Sequence, residues 1–232
     1  MPAHLENSPS IRFHKAGHWP AQLRTPAYAG QLAFHALRQK PDLILATHLN
    51  FTPVARWLKQ TVGIPYWTVA HGVDAWNIKK TGLQEALQEA NLILAVSHYT
   101  RNRLLKEQCL EPEKVVVLPN TFDVNQFSMG QKPRYLLDRH NLTPEQPIIL
   151  TVARLDVAER YKGYDQVLRA IPKILSDIPN ARYMLVGKGN DRPRVETLVQ
   201  DLGLEEHAIL TGFIPDEEIQ DYYNLCDVFA MP

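Results

Sequence analysis

The chain has 232 residues, of which 45% are hydrophobic and 22% are charged, so it is long enough for two domains or one large one. Lysines plus arginines and aspartates plus glutamates both total 25, and this zero formal charge gives no indication of a nucleic-acid partner. The two cysteines, Cys109 and Cys226, show neither metal-ligand spacing nor a disulfide framework, which is typical of a protein in a reducing compartment.

Short apolar runs alternate with helical patterns through the first half of the chain. The first 28 residues show no clear period, and a short helix is predicted after them over residues 30–39. Buried strands are predicted at 43–46, 64–70, 92–96 and 115–118. Helices are predicted between them at 52–60, at 83–89 and from an N-cap at Ser97 to Gln108. This alternation is typical of an α/β unit.

The second half repeats the alternation after a polar stretch at 123–146, which we interpret as a hinge followed by a helix near 135–140. A strand at 148–152, a helix at 164–175 and a strand at 183–186 form a βαβ unit, whose crossover requires a parallel sheet. Further elements are predicted as a helix from Asp191, a strand at 208–210, a helix opened by the acids at 216–218 and a strand at 228–231.

The loops that follow the two strands of this βαβ unit carry positive charge and glycines. Arg154 and Lys162 lie in the first loop, and Gly187 and Gly189 lie in the second. Ligands of open α/β sheets bind at this carboxyl edge, and glycines let a backbone approach a ligand closely. The Gly-x-Gly lacks the third glycine of a dinucleotide fingerprint, so it could also be a tight turn.

Five motifs of the second half carry a family likeness. They lie within VARLDVAERYKG, LVGKGNDRPRVETLVQDLGL and ILTGFIPDEEIQDYYNLCDVFAMP, and the first half adds VAHGVD, LAVSHYTRNRL and VVVLPNTFDVNQF. Together these segments resemble the retaining family 4 (group 1) glycosyltransferases, which have the GT-B fold. The family's opening glycine-rich loop and its Glu-(seven residues)-Glu motif are absent here, and its usual Asn-Gly-Val-Asp reads Asn120-Thr121-Phe122-Asp123.

The resemblance implies an α/β protein with two Rossmann-like domains facing a cleft, both incomplete in this chain. Residues 1–127 would form part of an N-terminal acceptor-side domain. Residues 128–232 would form part of a C-terminal domain that binds the nucleotide-sugar donor. The chain is therefore expected to be an internal piece of a larger enzyme, and inactive alone.

The resemblance also implies roles for individual residues. It assigns Arg154 and Lys162 to the donor diphosphate, although solvated loop charges remain the alternative. The main chain of Gly212, Phe213 and Ile214 would hold the nucleobase, or these residues could form a plain turn. His71, at the end of a predicted strand, would orient the reacting sugar and acceptor, or it could be structural.

The function implied is transfer of a sugar from a nucleotide-sugar donor to an acceptor hydroxyl with retention of anomeric configuration. No metal and no cofactor besides the donor are expected, and the acceptor could be a glycan, a lipid or a small molecule. A cytoplasmic location is expected, with peripheral contact to the inner face of a membrane left open. The alternatives are a non-catalytic nucleotide-binding module and a GT-B nucleotide-sugar 2-epimerase.

Overall fold

The computed structural model describes residues 12–15 and 18–232. The chain divides into two units, the first ending at Thr121 and the second comprising Phe122–Pro232. The predicted division between residues 127 and 128 stays a prediction. The uninterpreted first 28 residues lie partly outside the described part of the chain.

The first unit is a parallel sheet with helices between its strands. Its described helices are α1 (Ala21–Gln39), α2 (Thr52–Val62), α3 (Thr81–Gln88) and α4 (His98–Gln108). Its described strands are β1 (Ile44–Ala46), β2 (Tyr66–Ala70), β3 (Leu92–Ala95) and β4 (Val115–Val117). The strands lie in the order β1-β2-β3-β4, all parallel, as the predicted alternation requires.

The second unit contains another parallel sheet. Its helices are α5 (Arg134–Arg139), α6 (Tyr164–Asp177), α7 (Arg192–Asp201) and α8 (Ile219–Leu225). Its strands are β5 (Ile148–Val152), β6 (Arg182–Val186), β7 (Ala208–Gly212) and β8 (Val228–Phe229). The strand order is β7-β6-β5-β8. Strands β6 and β7 are therefore added on one side of β5, and β8 is added on the other side. Such a reversal of strand order marks the point where open α/β sheets bind ligands.

The central strands β5 and β6 of the second sheet are largely buried, which explains why they are apolar runs. Along β6, Tyr183 and Leu185 join the core that α6 and α7 cover. Met184 and Val186 point to the opposite core, which α5 and α8 cover. This alternation follows from the two-residue period of a strand, and it anchors the loops at the carboxyl edge to a rigid base.

The structure differs from the sequence prediction most at the first helix. Helix α1 begins at Ala21 rather than near residue 30, and it contains Pro26. Apolar side chains of α1 such as Leu23 and Phe34 are about half exposed, so its apolar residues give no clear one-face period. The acids at 216–218 form a 3₁₀ turn, and α8 itself begins after them. The predicted Ser97 cap is confirmed, because its hydroxyl accepts a hydrogen bond from the Thr100 amide at 3.1 Å.

Candidate functional site

A cavity of about 680 Å³ lies at the carboxyl edge of the second sheet. Its walls are the loops that follow β5, β6 and β7. The lining residues are Val152, Ala153, Arg154, Lys162, Val186, Gly187, Lys188, Gly189, Phe213, Ile214, Pro215, Asp216 and Ile219. The structure thus brings six of the predicted site residues to one cavity. Gly212 ends β7 directly before Phe213, and its carbonyl accepts a hydrogen bond from the Gly187 amide at 2.9 Å.

The two glycines of the Gly-Lys-Gly turn allow one loop to pack directly on another. A Cβ atom at Gly187 would overlap the carbonyl oxygen of Ala153, and one at Gly189 would overlap that of Leu155. The φ of Gly187 is also +142°, a conformation that other residues rarely adopt. The sequence pattern indicated that these glycines let the backbone approach a ligand closely. The structure shows that they are also needed for the packing of the two loops against each other. The Leu155 amide donates to the Lys188 carbonyl at 3.1 Å, which continues the strand pairing into the loops.

Arg154 and Lys162 share one carboxylate, Glu159. Nη1 of Arg154 lies 2.8 Å from Oε1 of Glu159, and Nζ of Lys162 lies 2.6 Å from Oε2. The second contact is an ion pair between groups three residues apart. The Arg154 side chain is 68% exposed, whereas those of Lys162 and Glu159 are 27% and 19% exposed. Two cations are thereby held at one wall of the cavity.

Gly163 ends the segment that carries Lys162. Its φ of +71° lies in the left-handed region, where glycine is favoured. A Cβ atom there would also come within 2.6 Å of the Pro232 ring. Glycine is therefore required at the last position of the segment VARLDVAERYKG, and this fixes the path of the chain directly after Lys162.

Asp191 is a buried carboxylate that ties the Arg154–Lys162 segment to the Gly-Lys-Gly turn. Its side chain has no exposed surface, and it accepts hydrogen bonds from Arg160, Arg194 and the Tyr164 hydroxyl. The bonds from Arg194, with those from Arg160 and Tyr164, hold the pKa of Asp191 well below its ordinary value against the opposing effect of burial. Burial and the bond to Asp191 raise the pKa of Tyr164 to about 12. Arg160, whose side chain is 45% exposed, therefore has a buried partner.

Lys188 and Phe213 face each other at the cavity. The Lys188 ammonium lies 4.5 Å from the centre of the Phe213 ring, a cation–π contact. Phe213 is 64% exposed, so much of this large apolar side chain remains open to solvent. A flat aromatic surface next to cations can accept a planar ring and an anionic group together.

His71 belongs to the first unit, directly after β2. Its Nε2 lies 2.9 Å from the Thr47 carbonyl oxygen, and its amide donates to Asp74. Because a carbonyl oxygen only accepts, Nε2 is the donor of this bond, and Nδ1 is not used in it. These contacts orient the ring and give it a structural partner, while its predicted role toward a sugar stays a prediction.

The sequence pattern did not single out Glu159, Lys188 or Asp191. Glu159 stands three residues before Lys162, a spacing that can form an ion pair on a helical turn. Lys188 lies inside the recognised Gly-Lys-Gly turn, so its place at the strand end was visible. Asp191 was expected only to start a helix, because its arginine partner at position 160 is distant in sequence.

Neither a metal cluster nor a membrane-spanning helix is present in the part of the chain that the structure describes. No group of three or more His, Cys, Asp or Glu side chains among residues 12–15 and 18–232 could hold a metal ion. Over the same residues, no helix combines the length and the apolar character needed to cross a bilayer.

Two family profiles match the chain. The profile described as Glycosyltransferase Family 4 matches residues 3–126, and the one described as Glycosyl transferases group 1 matches residues 136–232. The first profile alone spans more than half of the chain, and the second includes every residue that lines the cavity.

Curated relatives and solved structures agree with these profiles. The GDP-mannose-dependent alpha-(1-6)-phosphatidylinositol monomannoside mannosyltransferase of Mycolicibacterium smegmatis is 28% identical over 156 residues, covering 67% of this chain and 40% of that protein. Mannosylfructose-phosphate synthase of Agrobacterium fabrum is 23% identical over 239 residues, covering 97% of this chain and 49% of that protein. Anabaena Alr3699/HepE in complex with UDP matches with a TM-score of 0.74 at 19% identity, covering 91% of this chain and 58% of that one.

The chain therefore spans about half, or less, of the curated relatives it matches. The two parallel α/β sheets, together with the structural match, confirm the predicted GT-B class of fold.

Proposed function

The chain belongs to glycosyltransferase family 4, and from that premise we propose that the whole protein transfers a sugar from a nucleotide-sugar donor to an acceptor hydroxyl. The observation that carries the proposal is the cavity of the second unit, where Arg154 and Lys162 meet the glycine turn and the exposed ring of Phe213. Solved structures of Alr3699/HepE with UDP and with UDP-glucose are consistent with such a donor.

Arg154 and Lys162 bind the donor diphosphate in this proposal. When the sugar leaves, the bond between its anomeric carbon and the β-phosphate oxygen breaks, and negative charge develops on that phosphate. Two fixed cations stabilise this charge more in the transition state than in the donor, which lowers the barrier. Because these side chains supply the positive charge, the transfer requires no metal ion.

The acceptor oxygen forms its new bond to the anomeric carbon on the face that the phosphate leaves. The configuration is therefore retained, and the departing phosphate takes up the acceptor proton. The nucleobase lies against Phe213 and the main chain of Gly212 and Ile214. His71 orients the sugar or the acceptor through its Nδ1.

The acceptor is a glycan, a lipid or a small molecule. One curated relative is named for a phosphatidylinositol mannoside, and an acceptor of that kind would bring the protein to a membrane surface. Flotation with vesicles that contain anionic phospholipid tests this contact. Recovery of all the protein in the vesicle-free fraction at low salt would remove the lipid-surface part of the proposal.

The transfer itself is tested by activity of the full-length protein on UDP- and GDP-sugars. Arg154→Ala and Lys162→Ala should each lower kcat/KM by more than about tenfold, because each removes a charge from the leaving phosphate. Arg169→Ala and Lys173→Ala are matched controls, since both residues are exposed on α6 and do not line the cavity. Near wild-type kcat/KM for both site variants would refute the assigned role.

A further inference from the structure

Glu159 is the shared partner of the two cations, yet it does not itself line the cavity. Its two carboxylate oxygens are divided between them, Oε1 to Arg154 at 2.8 Å and Oε2 to Lys162 at 2.6 Å. Both cations line the cavity, whereas the carboxylate lies outside the lining and is 19% exposed. Glu159 therefore contacts both cations without lining the cavity itself.

The backbone holds Glu159 at this place. It has φ −112° and ψ 18°, which interrupts the 3₁₀ geometry of its neighbours. Its amide donates to the Asp156 carbonyl at 2.8 Å, and the Asp156 side chain caps the same turn by accepting from the Ala158 amide. The turn is joined to the Gly-Lys-Gly loop by the bond from the Val157 amide to Asn190 at 2.9 Å. The segment that carries the carboxylate is thus held by its own turn and by the neighbouring loop.

Resting on the function proposed above, we propose that Glu159 is a positioning residue for diphosphate binding. Two like charges at one wall repel each other, and both side chains are long and flexible. A carboxylate between them offsets this repulsion and restricts the two head groups before the ligand arrives. Ordering them in advance reduces the entropy lost on binding, because each immobilised long side chain otherwise weakens the complex.

The arrangement leaves donors available for the ligand. Arg154 uses only Nη1 toward Glu159, so the rest of its guanidinium fork can reach a phosphate oxygen. The Lys162 ammonium has three N–H groups, so its ion pair with Glu159 leaves donors for other acceptors. Diphosphate can therefore bind on the cavity side while Glu159 keeps its place on the other side.

A competing role for Glu159 predicts the opposite sign. If the carboxylate instead occupied the ligand's place as an internal counter-ion, removing its charge would strengthen diphosphate binding. Its position outside the cavity lining argues for positioning. Affinity measurements separate the two roles because one predicts a loss and the other a gain.

The test is calorimetric titration of UDP and GDP into full-length wild type and Glu159→Gln. The amide keeps the shape of the side chain but removes the negative charge that both cations share, so we expect about tenfold weaker binding of the nucleotide that wild type prefers, or about 1.4 kcal/mol. Glu196→Gln is the matched control, since it breaks an arginine–glutamate pair of the same unit outside the cavity, and its affinity should equal wild type.

Equal or tighter binding by Glu159→Gln would overturn the inference and leave the proposed function intact. Failure of wild type itself to bind either nucleotide would instead contradict the proposed function. If Glu159→Gln does not fold, Glu159→Asp replaces it. This shorter carboxylate keeps the charge but cannot span both cations, so the same weakening is expected, and unchanged affinity would again refute the positioning role.

Discussion

Replacing Asp191 by asparagine should destabilise the second unit strongly. The substitution keeps the size of the side chain, but its amide nitrogen cannot accept the bonds that reach Oδ2 from Tyr164 at 2.7 Å and from Arg194 at 2.6 Å. Removing one partner of a buried ion pair costs about 3–5 kcal/mol. The side chains of Arg160 and Arg194 are 45% and 32% exposed, so water can solvate them in part. We therefore expect a loss of about 2–4 kcal/mol in the free energy of unfolding.

Thermal and urea denaturation of the full-length protein at pH 7 measure this loss. For a domain of this size, roughly 4 °C of melting temperature corresponds to 1 kcal/mol, so the transition of this unit should fall by roughly 8–16 °C. Asp201→Asn is the control, because Asp201 is an exposed aspartate at the end of α7, the helix that Asp191 precedes. A loss below about 1 kcal/mol for Asp191→Asn would refute the view that this carboxylate joins the two loops.

The same contacts predict how stability depends on pH. The pKa of Asp191 is lowered in the folded state, so its contribution is fully present above the ordinary pKa of 3.8. The contribution is lost as the pH falls from there through the lower folded-state pKa. The stability difference between wild type and Asp191→Asn should be constant from pH 5 to 7 and should shrink below about pH 4. A difference that changed between pH 5 and 7 would point to another group.

Three further predictions follow from single contacts. Gly187→Ala should lower the free energy of unfolding by more than about 2 kcal/mol, because the added Cβ would meet the Ala153 carbonyl at a residue with positive φ. Urea denaturation measures this loss. No loss would mean that the two loops can separate without cost. Ser97→Ala should lower the free energy of unfolding by about 1 kcal/mol, because it removes the N-cap of α4. Urea denaturation measures this loss as well, and an unchanged midpoint would argue against the cap. Cys109 is exposed, whereas burial raises the pKa of the Cys226 thiol and so disfavours its reactive thiolate form. A thiol reagent at pH 8 should therefore modify Cys109 first. The reverse order would contradict the structure.

The strands were predictable from sequence because each is a short apolar run between helical patterns or turn residues. The start of α1 was not, since Pro26 argues against a helix interior and the exposed apolar side chains of that helix give no period. Within strongly periodic segments, local sequence was enough to place the elements.

The candidate site was predictable in part for a similar reason. Arg154 and Lys162 follow a strand, and loops at the carboxyl ends of neighbouring parallel strands must come together, so their presence on one cavity could be expected. Their roles toward a ligand stay predictions. The bonds of Asp191 to Arg160 and Tyr164 could not be expected, because they depend on how two loops pack and not on local pattern.

Diphosphate binding by Arg154 and Lys162 is tested most directly by the preference of the full-length protein for a nucleoside diphosphate over the monophosphate. Calorimetric titration with UDP, UMP, GDP and GMP should show tighter binding of a diphosphate by wild type, since Arg154 and Lys162 are proposed to bind the terminal phosphate. The double variant Arg154→Ala, Lys162→Ala should bind the corresponding diphosphate and monophosphate equally. If the double variant kept the wild-type preference, the diphosphate would bind elsewhere, and the role proposed for Arg154 and Lys162 would be wrong.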